Sequence, residues 1–283
     1  GIVSLLMDLS SEMILSILPI FLVTGLGVSV LTLGLIEGFA EGAASVIKAF
    51  SGMLSDYLKK RKILIVIGYG LSTLTKPFFA LASTATWIFA ARFVDRLGKG
   101  IRGAPRDSLI ADSTSTKIRG TAYSLRQSLD TLGALLGPII AIIILYLTTN
   151  NFRLVLWFAV IPAVLCIVVL IFGVKESTLK KNISRKKSYF LFKNFLKITP
   201  VIWLFFLTVF ILNLGHFSEA FLLLRSQEIG LKVSFIPIVF VVMNVAYAIV
   251  AVPFGHLADK VGFFILIVYG FLILVLSNII LTL

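Results

Sequence analysis

Long apolar runs recur along this chain, each about as long as a helix needs to cross a bilayer and each closed by charged or glycine punctuation. A spanning helix takes about 20 predominantly apolar residues, and the pattern marks such stretches at 1 to 25, 29 to 55, 62 to 84, 86 to 110, 120 to 147, 152 to 174, 198 to 226, 234 to 257 and 263 to 283. A mean hydropathy of +1.06, with 59% hydrophobic and only 14% charged residues, is a balance that a water-soluble domain of this length could not carry on its surface. Hydrocarbon offers no water to the backbone, so every spanning segment has to satisfy its own polar groups. The expected fold is therefore all-α, a polytopic membrane helix bundle.

The net charge of +13 would suggest nucleic acid in a soluble protein, but here the basic residues sit between apolar runs, so no nucleic-acid partner is expected. The second connection carries Lys59, Lys60, Arg61 and Lys62, the fourth Lys99, Arg102, Arg106, Lys117 and Arg119, and the sixth a run from Lys175 to Lys197. The odd connections hold almost no charge. By the positive-inside rule the even connections and the N-terminus face the cytoplasm, and the expected location is a cell membrane, in all expectation a bacterial inner membrane. The lone Cys166 lies in an apolar run and reads as a core thiol. The chain starts at Gly1 already inside a hydrophobic segment, which reads as a piece of a longer protein without a cleavable signal sequence.

The sixth connection is the longest and divides the chain into a six-helix half at 1–174, a basic cytoplasmic linker at 175–197 and three further helices at 198–283. A repeat supports that division. Gly25-Leu26-Gly27-Val28-Ser29 precedes the second span and Gly230-Leu231-Lys232-Val233-Ser234 the eighth. Gly52-Met53-Leu54-Ser55-Asp56 closes the second span, and Gly255-His256-Leu257-Ala258-Asp259-Lys260-Val261-Gly262 closes the eighth. Related halves of this kind are the ground plan of many secondary transporters.

These two stretches resemble the loop motif of the major facilitator superfamily, Gly-x-Leu-(Ala/Ser)-Asp-(Arg/Lys)-x-Gly-(Arg/Lys)-(Arg/Lys). The resemblance implies the fold of that family, with a complete six-helix N-terminal half and the first three helices of the C-terminal half, the last three of the family's twelve spans being absent. It also implies a conformational latch at Gly52, Asp56 and Arg61, repeated at Gly255, Asp259 and Lys260. Physically, a glycine lets two helices approach closely while the carboxylate meets a helix N-terminus or an arginine. In the fifth span, Gly133-Ala134-Leu135-Leu136-Gly137-Pro138 looks like the family's antiporter motif. Gly133 and Gly137 would form a ridge for close packing, and Pro138 frees a backbone carbonyl and permits a bend.

Ions at the bilayer centre cost about 2.5–3.5 kcal/mol each on insertion scales, so they usually face a cavity. Asp8 and Glu12 lie one helical turn apart in the first span and project from one face. Two such carboxylates repel when both are ionised, which suits a proton carrier or a cation ligand; either could also pair with a basic residue of another span. Glu37, Glu41 and Lys48 form one polar stripe on the second span and invite the same two readings, with Glu37 expected near the outer surface. Arg92, Arg96, Lys99 and Arg106 make a basic stripe on the fourth span and its exit. Arg92 resembles the family's proton-coupling arginine, whereas Arg96 to Arg106 could equally be snorkelling anchors. Arg126 and Asp130 are spaced for an intrahelical pair, Lys76 has no evident partner, and His216 and Glu219 in the seventh span answer to the first-span acids.

The function expected from the pattern and the resemblance is secondary active transport of a small molecule by alternating access, coupled to protons as an antiporter that exports its substrate. The cavity set is Asp8, Glu12, Glu41, Arg92, His216 and Glu219. A symporter for uptake uses the same acids, and a remnant that does not transport is the further alternative. A membrane enzyme is disfavoured because no nucleophile, phosphate cradle or metal spacing stands out, and no cofactor or metal is expected. The partners expected are the substrate, protons and the lipid bilayer, with the chain a monomer.

Overall fold

A computed structural model describes residues 1–58, 60–115, 118–174, 176, 203–204, 218–261 and 263–282, with the backbone alone for 251–252, 255–256, 258–261, 263–264, 266 and 281–282. Every regular element among them is helical. The chain divides into two compact units, Gly1–Asn182 with Ser218–Asn244 and Ile183–Phe217 with Val245–Leu283.

The first unit opens with α1 (Ile2–Leu15), a short α2 (Leu18–Ile20) and a π-helical turn over Phe21–Gly25. The expected single helix over 1 to 25 is thus broken, because Pro19 lacks the N–H that would continue the ladder and its ring crowds the carbonyl one turn earlier. The Ser16 hydroxyl donates to the Met13 carbonyl at the break. Gly27 then takes φ +66, a left-handed turn that glycine makes freely. The Ser29 hydroxyl accepts the Thr32 N–H to start α3 (Val30–Leu58). There follow α4 (Arg61–Leu81), α5 (Ala85–Ser113), α6 (Arg119–Leu147), α7 (Phe152–Phe158), α8 (Val160–Gly173), α9 (Ala220–Glu228), a 3-10 turn at Val233–Phe235 and α10 (Ile238–Val261). The second unit holds the last part of α10 and α11 (Phe263–Thr282).

Six stretches among the described residues are long and apolar enough to cross a membrane: Ile2–Gly25, Val30–Leu58, Arg61–Leu81, Arg119–Leu147, Phe152–Gly173 and Val233–Val250. The helix expected over 86 to 110 is present as α5 but is not among them. It runs on to Ser113 and keeps Lys99, Arg102 and Arg106 inside the helix, where the sequence pattern had put them in a connection. Its charges are tolerated because other helices enclose them. Gly98 and Gly100 let α5 press into its neighbours: a Cβ on Gly98 would lie 2.5 Å from the Gly68 carbonyl of α4, and one on Gly100 2.7 Å from the Ala44 carbonyl of α3.

On the other side, α6 and α8 pack against α1. The hydroxyl of Ser10 donates to the Ala159 carbonyl at 2.6 Å, at the residue that separates α7 from α8 just before Pro162. Thr73 and Cys166 add bonds to the carbonyls of Ala163 and Val3. The apolar core gathers Met13, Ile17, Leu33, Phe79, Ile88 and Leu156, while Leu31, Phe39, Tyr57 and Phe172 point outward, as lipid-facing side chains do. Ser10→Ala strands a buried carbonyl and is expected to cost about 1–2 kcal/mol, read as a lower midpoint of unfolding by detergent titration.

Candidate functional site

The interior of the first unit carries a set of closed ion pairs. Arg92 of α5 is 3% exposed and grips Glu37 of α3 with both forks, Nε to Oε1 at 2.9 Å and Nη2 to Oε2 at 2.6 Å, the strong bidentate geometry. Glu37 is buried, its carboxylate held between the helices by the guanidinium of α5. Lys76 of α4, 1% exposed, donates to Asp95 Oδ1 at 3.1 Å and to the Ser11 hydroxyl of α1 at 3.1 Å. Arg96 reaches Glu41 Oε1 at 2.7 Å. Arg102 donates to the Ser72 hydroxyl at 2.5 Å and stands 4.5 Å over the Tyr69 ring. Since Arg96 and Arg102 are each 6% exposed, the snorkelling reading fails for both: Arg102 is bonded to the buried Ser72, and Arg96 is buried although its partner Glu41 is half-exposed.

A second cluster lies towards the basic end. Arg126 bonds Asp107 at 3.2 Å and Asp130 at 3.5 Å, so the expected intrahelical pair forms but is shared with α5. Arg106 meets Asp107 and donates to the Ser4 hydroxyl at 3.2 Å. Arg61 bridges Asp112 of α5 at 2.8 Å and Asp56 at 3.4 Å. The Glu176 carboxylate accepts the backbone N–H groups of Arg61 and Lys62 at 3.0 and 2.9 Å, capping the positive start of α4. Gly52 packs a would-be Cβ 3.3 Å from the Ala104 Cβ. The structure thus joins Gly52, Asp56 and Arg61 at one end of the α3, α4 and α5 group. Asp112, which the motif did not indicate, is Arg61's nearer acid. Gly255, Asp259 and Lys260 lie in the last turns of α10, with their surroundings outside the described residues, and His216 is outside them altogether.

Against these closed pairs, the carboxylates of α1 stand out. Asp8 and Glu12 are half-buried and, among the described residues, make no hydrogen bond or ion pair. The charged groups whose fields reach Asp8 are Asp130, Arg102, Arg106 and Lys99; those whose fields reach Glu12 are Asp8, Lys99, Glu219 and Arg96. Glu219 is exposed just before α9. An unpartnered mid-span carboxylate survives by reaching water or by holding a proton.

The stretch of α1 that carries them is the one against which the Gly-Pro motif packs. A Cβ on Gly133 would lie 2.5 Å from the Leu5 carbonyl, and one on Gly137 2.8 Å from the Glu12 Cβ and 2.9 Å from the Met13 nitrogen. Pro138 leaves the Ala134 carbonyl without its helical donor, and the Asn244 amide of α10 donates to that oxygen at 3.3 Å. Asn244 carried no signal in the sequence. Lys76 and Asp95 did, because a buried lysine in one span requires a carboxylate in another.

Helices of spanning length around an ion-paired interior define a polytopic membrane protein of the transporter class of folds. The chain matches the Major Facilitator Superfamily along residues 1–283 and belongs to that family. It is 35% identical over 271 residues to an uncharacterized MFS-type transporter of Methanocaldococcus jannaschii, covering 93% of this chain and 66% of that one. An uncharacterized protein of Mycobacterium tuberculosis is 27% identical over 281 residues, 93% of this chain and 65% of its own length. The chain therefore spans about two thirds of the length of these curated relatives. The multidrug resistance protein MdtH of Photorhabdus laumondii is 29% identical over 154 residues, 54% of this chain and 37% of that protein. Among solved structures, a bacterial homologue of the human lysosomal transporter spinster, inward-facing and unoccupied, superposes with a TM-score of 0.68 at 18% identity, over 91% of this chain and 60% of that one. At that identity the likeness concerns the fold.

Proposed function

We propose that this chain is the greater part of a proton-coupled antiporter that exports a small molecule by alternating access, with Asp8 and Glu12 as the groups that take up and release the proton. The observation that carries the reading is the contrast on the page. The other interior carboxylates, Glu37, Asp95 and Asp130, are held by cations, while Asp8 and Glu12 are not. A group that has to gain and lose a proton in each cycle cannot be locked in an ion pair throughout it.

Two further features support it. The Gly133–Gly137 ridge fits against the backbone that bears the two acids, so a shift of α6 moves them. The similarity to MdtH, named for multidrug resistance, favours export. Arg92 tunes the site from a distance through Asp95, 4.0 Å away, and Glu41 holds Arg96, whose charge acts on Glu12. By their place in the sequence repeat, His216 and Glu219 are further proton-handling candidates. Gly52, Asp56 and Arg61, with Asp112, are the latch that biases one state over the other, and Gly255, Asp259 and Lys260 are its second copy. The protein works as a monomer in a prokaryotic cell membrane with its N-terminus in the cytoplasm, the basic connections fixing that orientation.

The test is ethidium flux in proteoliposomes of the full-length protein under an imposed pH gradient. Wild type should drive ethidium against its gradient, and Asp8→Asn or Glu12→Gln should bring the flux down to that of empty vesicles. Undiminished flux in both variants would contradict the assignment.

A further inference from the structure

Resting on the alternating-access part of that reading, we propose that the seam between α6 and α10 parts in each transport cycle and that Asn244 is the clasp that closes it. The two flanks of α6 are built in opposite ways. Towards α1 it interlocks backbone on backbone: a Cβ on Gly133 would lie 2.5 Å from the Leu5 carbonyl, and one on Gly137 2.8 Å from the Leu9 carbonyl. Main chains packed this closely move together, because close-packed interiors do not yield gradually. Towards α10 the contacts are made by side-chain ends. The Ser234 hydroxyl donates to Asn150 Oδ1 at 2.6 Å, the Tyr146 and Phe235 rings stand 6.2 Å apart, and the Asn244 amide donates to the Ala134 carbonyl at 3.3 Å. Each contact joins residues on opposite sides of the basic linker in sequence. Asn150 is exposed in the connection after α6, so water takes over its bond when the seam opens, at small net cost.

Asn244 is suited to repeated closing. Pro138 denies the Ala134 carbonyl its helical donor, and Asn244 meets that standing need from the other side of the seam. The same amide nitrogen donates to the Phe240 carbonyl of its own helix at 2.8 Å, the shorter of its two bonds. That bond keeps the side chain placed on α10 with α6 near or away, so the clasp re-forms without the side-chain ordering that a free asparagine would need. The longer bond, the one between helices, is the one that yields.

In the experiment, Asn150→Cys with Ser234→Cys is treated with a short bis-methanethiosulfonate in the same proteoliposomes. Cross-linking should stop gradient-driven ethidium flux, and reduction should restore it. Gly1→Cys with Leu129→Cys joins α1 to α6 instead, where a Cβ on Gly1 would lie 3.9 Å from the Leu129 Cβ, and should carry flux equally well cross-linked and reduced. Cys166 is buried, and single-cysteine variants serve as blanks. Flux that survives the first cross-link, or that the second stops as completely, would overturn the seam. The clasp is read from the rate of the first cross-link at limiting reagent, which follows the time the seam spends closed. Asn244→Leu should slow it about threefold, as for one hydrogen bond lost from one of two comparably populated states. Added to Pro138→Ala, the same change should have no effect, because residue 138 then supplies the N–H that the Ala134 carbonyl lacks. Equal slowing in both backgrounds, or none in either, would overturn the clasp. This comparison needs no flux, so it judges Asn244 even where wild type fails to couple ethidium to the pH gradient, a failure that bears on the antiport reading alone.

Discussion

Replacing Asp95 by asparagine is expected to destabilise the protein by about 3–5 kcal/mol, the cost of leaving one member of a buried ion pair uncompensated. Lys76 is 1% exposed and Asp95 5%, so water cannot take over the lost charge. The amide still presents an oxygen to Lys76 Nζ, so the change isolates charge from shape. Arg92 offers no relief, because it is a second cation 4.0 Å from Asp95. The reciprocal Lys76→Met should be as harmful, leaving Asp95 to Arg92, which is already engaged by Glu37. Substituting both at once, Lys76→Met with Asp95→Leu, removes the desolvation cost together with the attraction and should return to within about 1 kcal/mol of wild type. Unfolding midpoints in detergent titration measure all three. A double variant no better than the singles would mean that the pair does not act as a closed unit.

The second large effect is expected at Gly137. A Cβ there would sit 2.8 Å from the Leu9 carbonyl and 2.9 Å from the Met13 nitrogen, both backbone atoms that cannot swing aside. Replacing a helical glycine ordinarily gains about 1 kcal/mol in propensity. Overpacking costs about 1–3 kcal/mol, and a valine adds two more carbons to an already forbidden position, so the steric cost wins. Gly137→Val should therefore push α1 from α6, lower the unfolding midpoint and abolish gradient-driven ethidium flux. Gly70→Ala in α4, with nothing within 4 Å of the new Cβ, should be neutral or slightly stabilising. Equal behaviour of the two variants would show that the ridge does not set the distance between these helices.

The bilayer-spanning character was legible in the hydropathy, because lipid selects residues locally and a window of about 20 residues captures that selection. The family resemblance in the loop motif was legible for the same reason: both copies are short, contiguous stretches. What depended on tertiary contact was not. Hydropathy treats the charges of α5 as a departure from a spanning helix, and only the closeness of Gly98 to Gly68 and of Gly100 to Ala44 explains how Arg92, Arg96 and Arg102 are accommodated. Lys76 looked unpartnered because its acid lies on a separate helix. The motif pointed to Asp56 for Arg61, yet the shorter contact is to Asp112, more than fifty residues later in the chain. Pro19 was in plain view, but a single apolar run over 1 to 25 conceals the break that it imposes.

The positive-φ glycines show how far the internal repeat reaches. The left-handed residue is Gly27 before α3 but Gly230 before α10, which are not equivalent positions in the two copies of the Gly-Leu-x-Val-Ser stretch. The halves share the placing of a turn without sharing its dihedral pattern, as expected when a repeat keeps burial and chain direction while the turn residues drift.

The measurement that most directly tests the central claim is proton movement itself. Vesicles containing the protein and a trapped pH-sensitive dye are given ethidium with no imposed gradient, and the change in internal pH is followed. Wild type should move protons opposite to the dye cation, and a protein carrying both Asp8→Asn and Glu12→Gln should move none. Proton counterflow persisting at the wild-type rate in that double variant would place the coupling elsewhere in the protein and contradict the account.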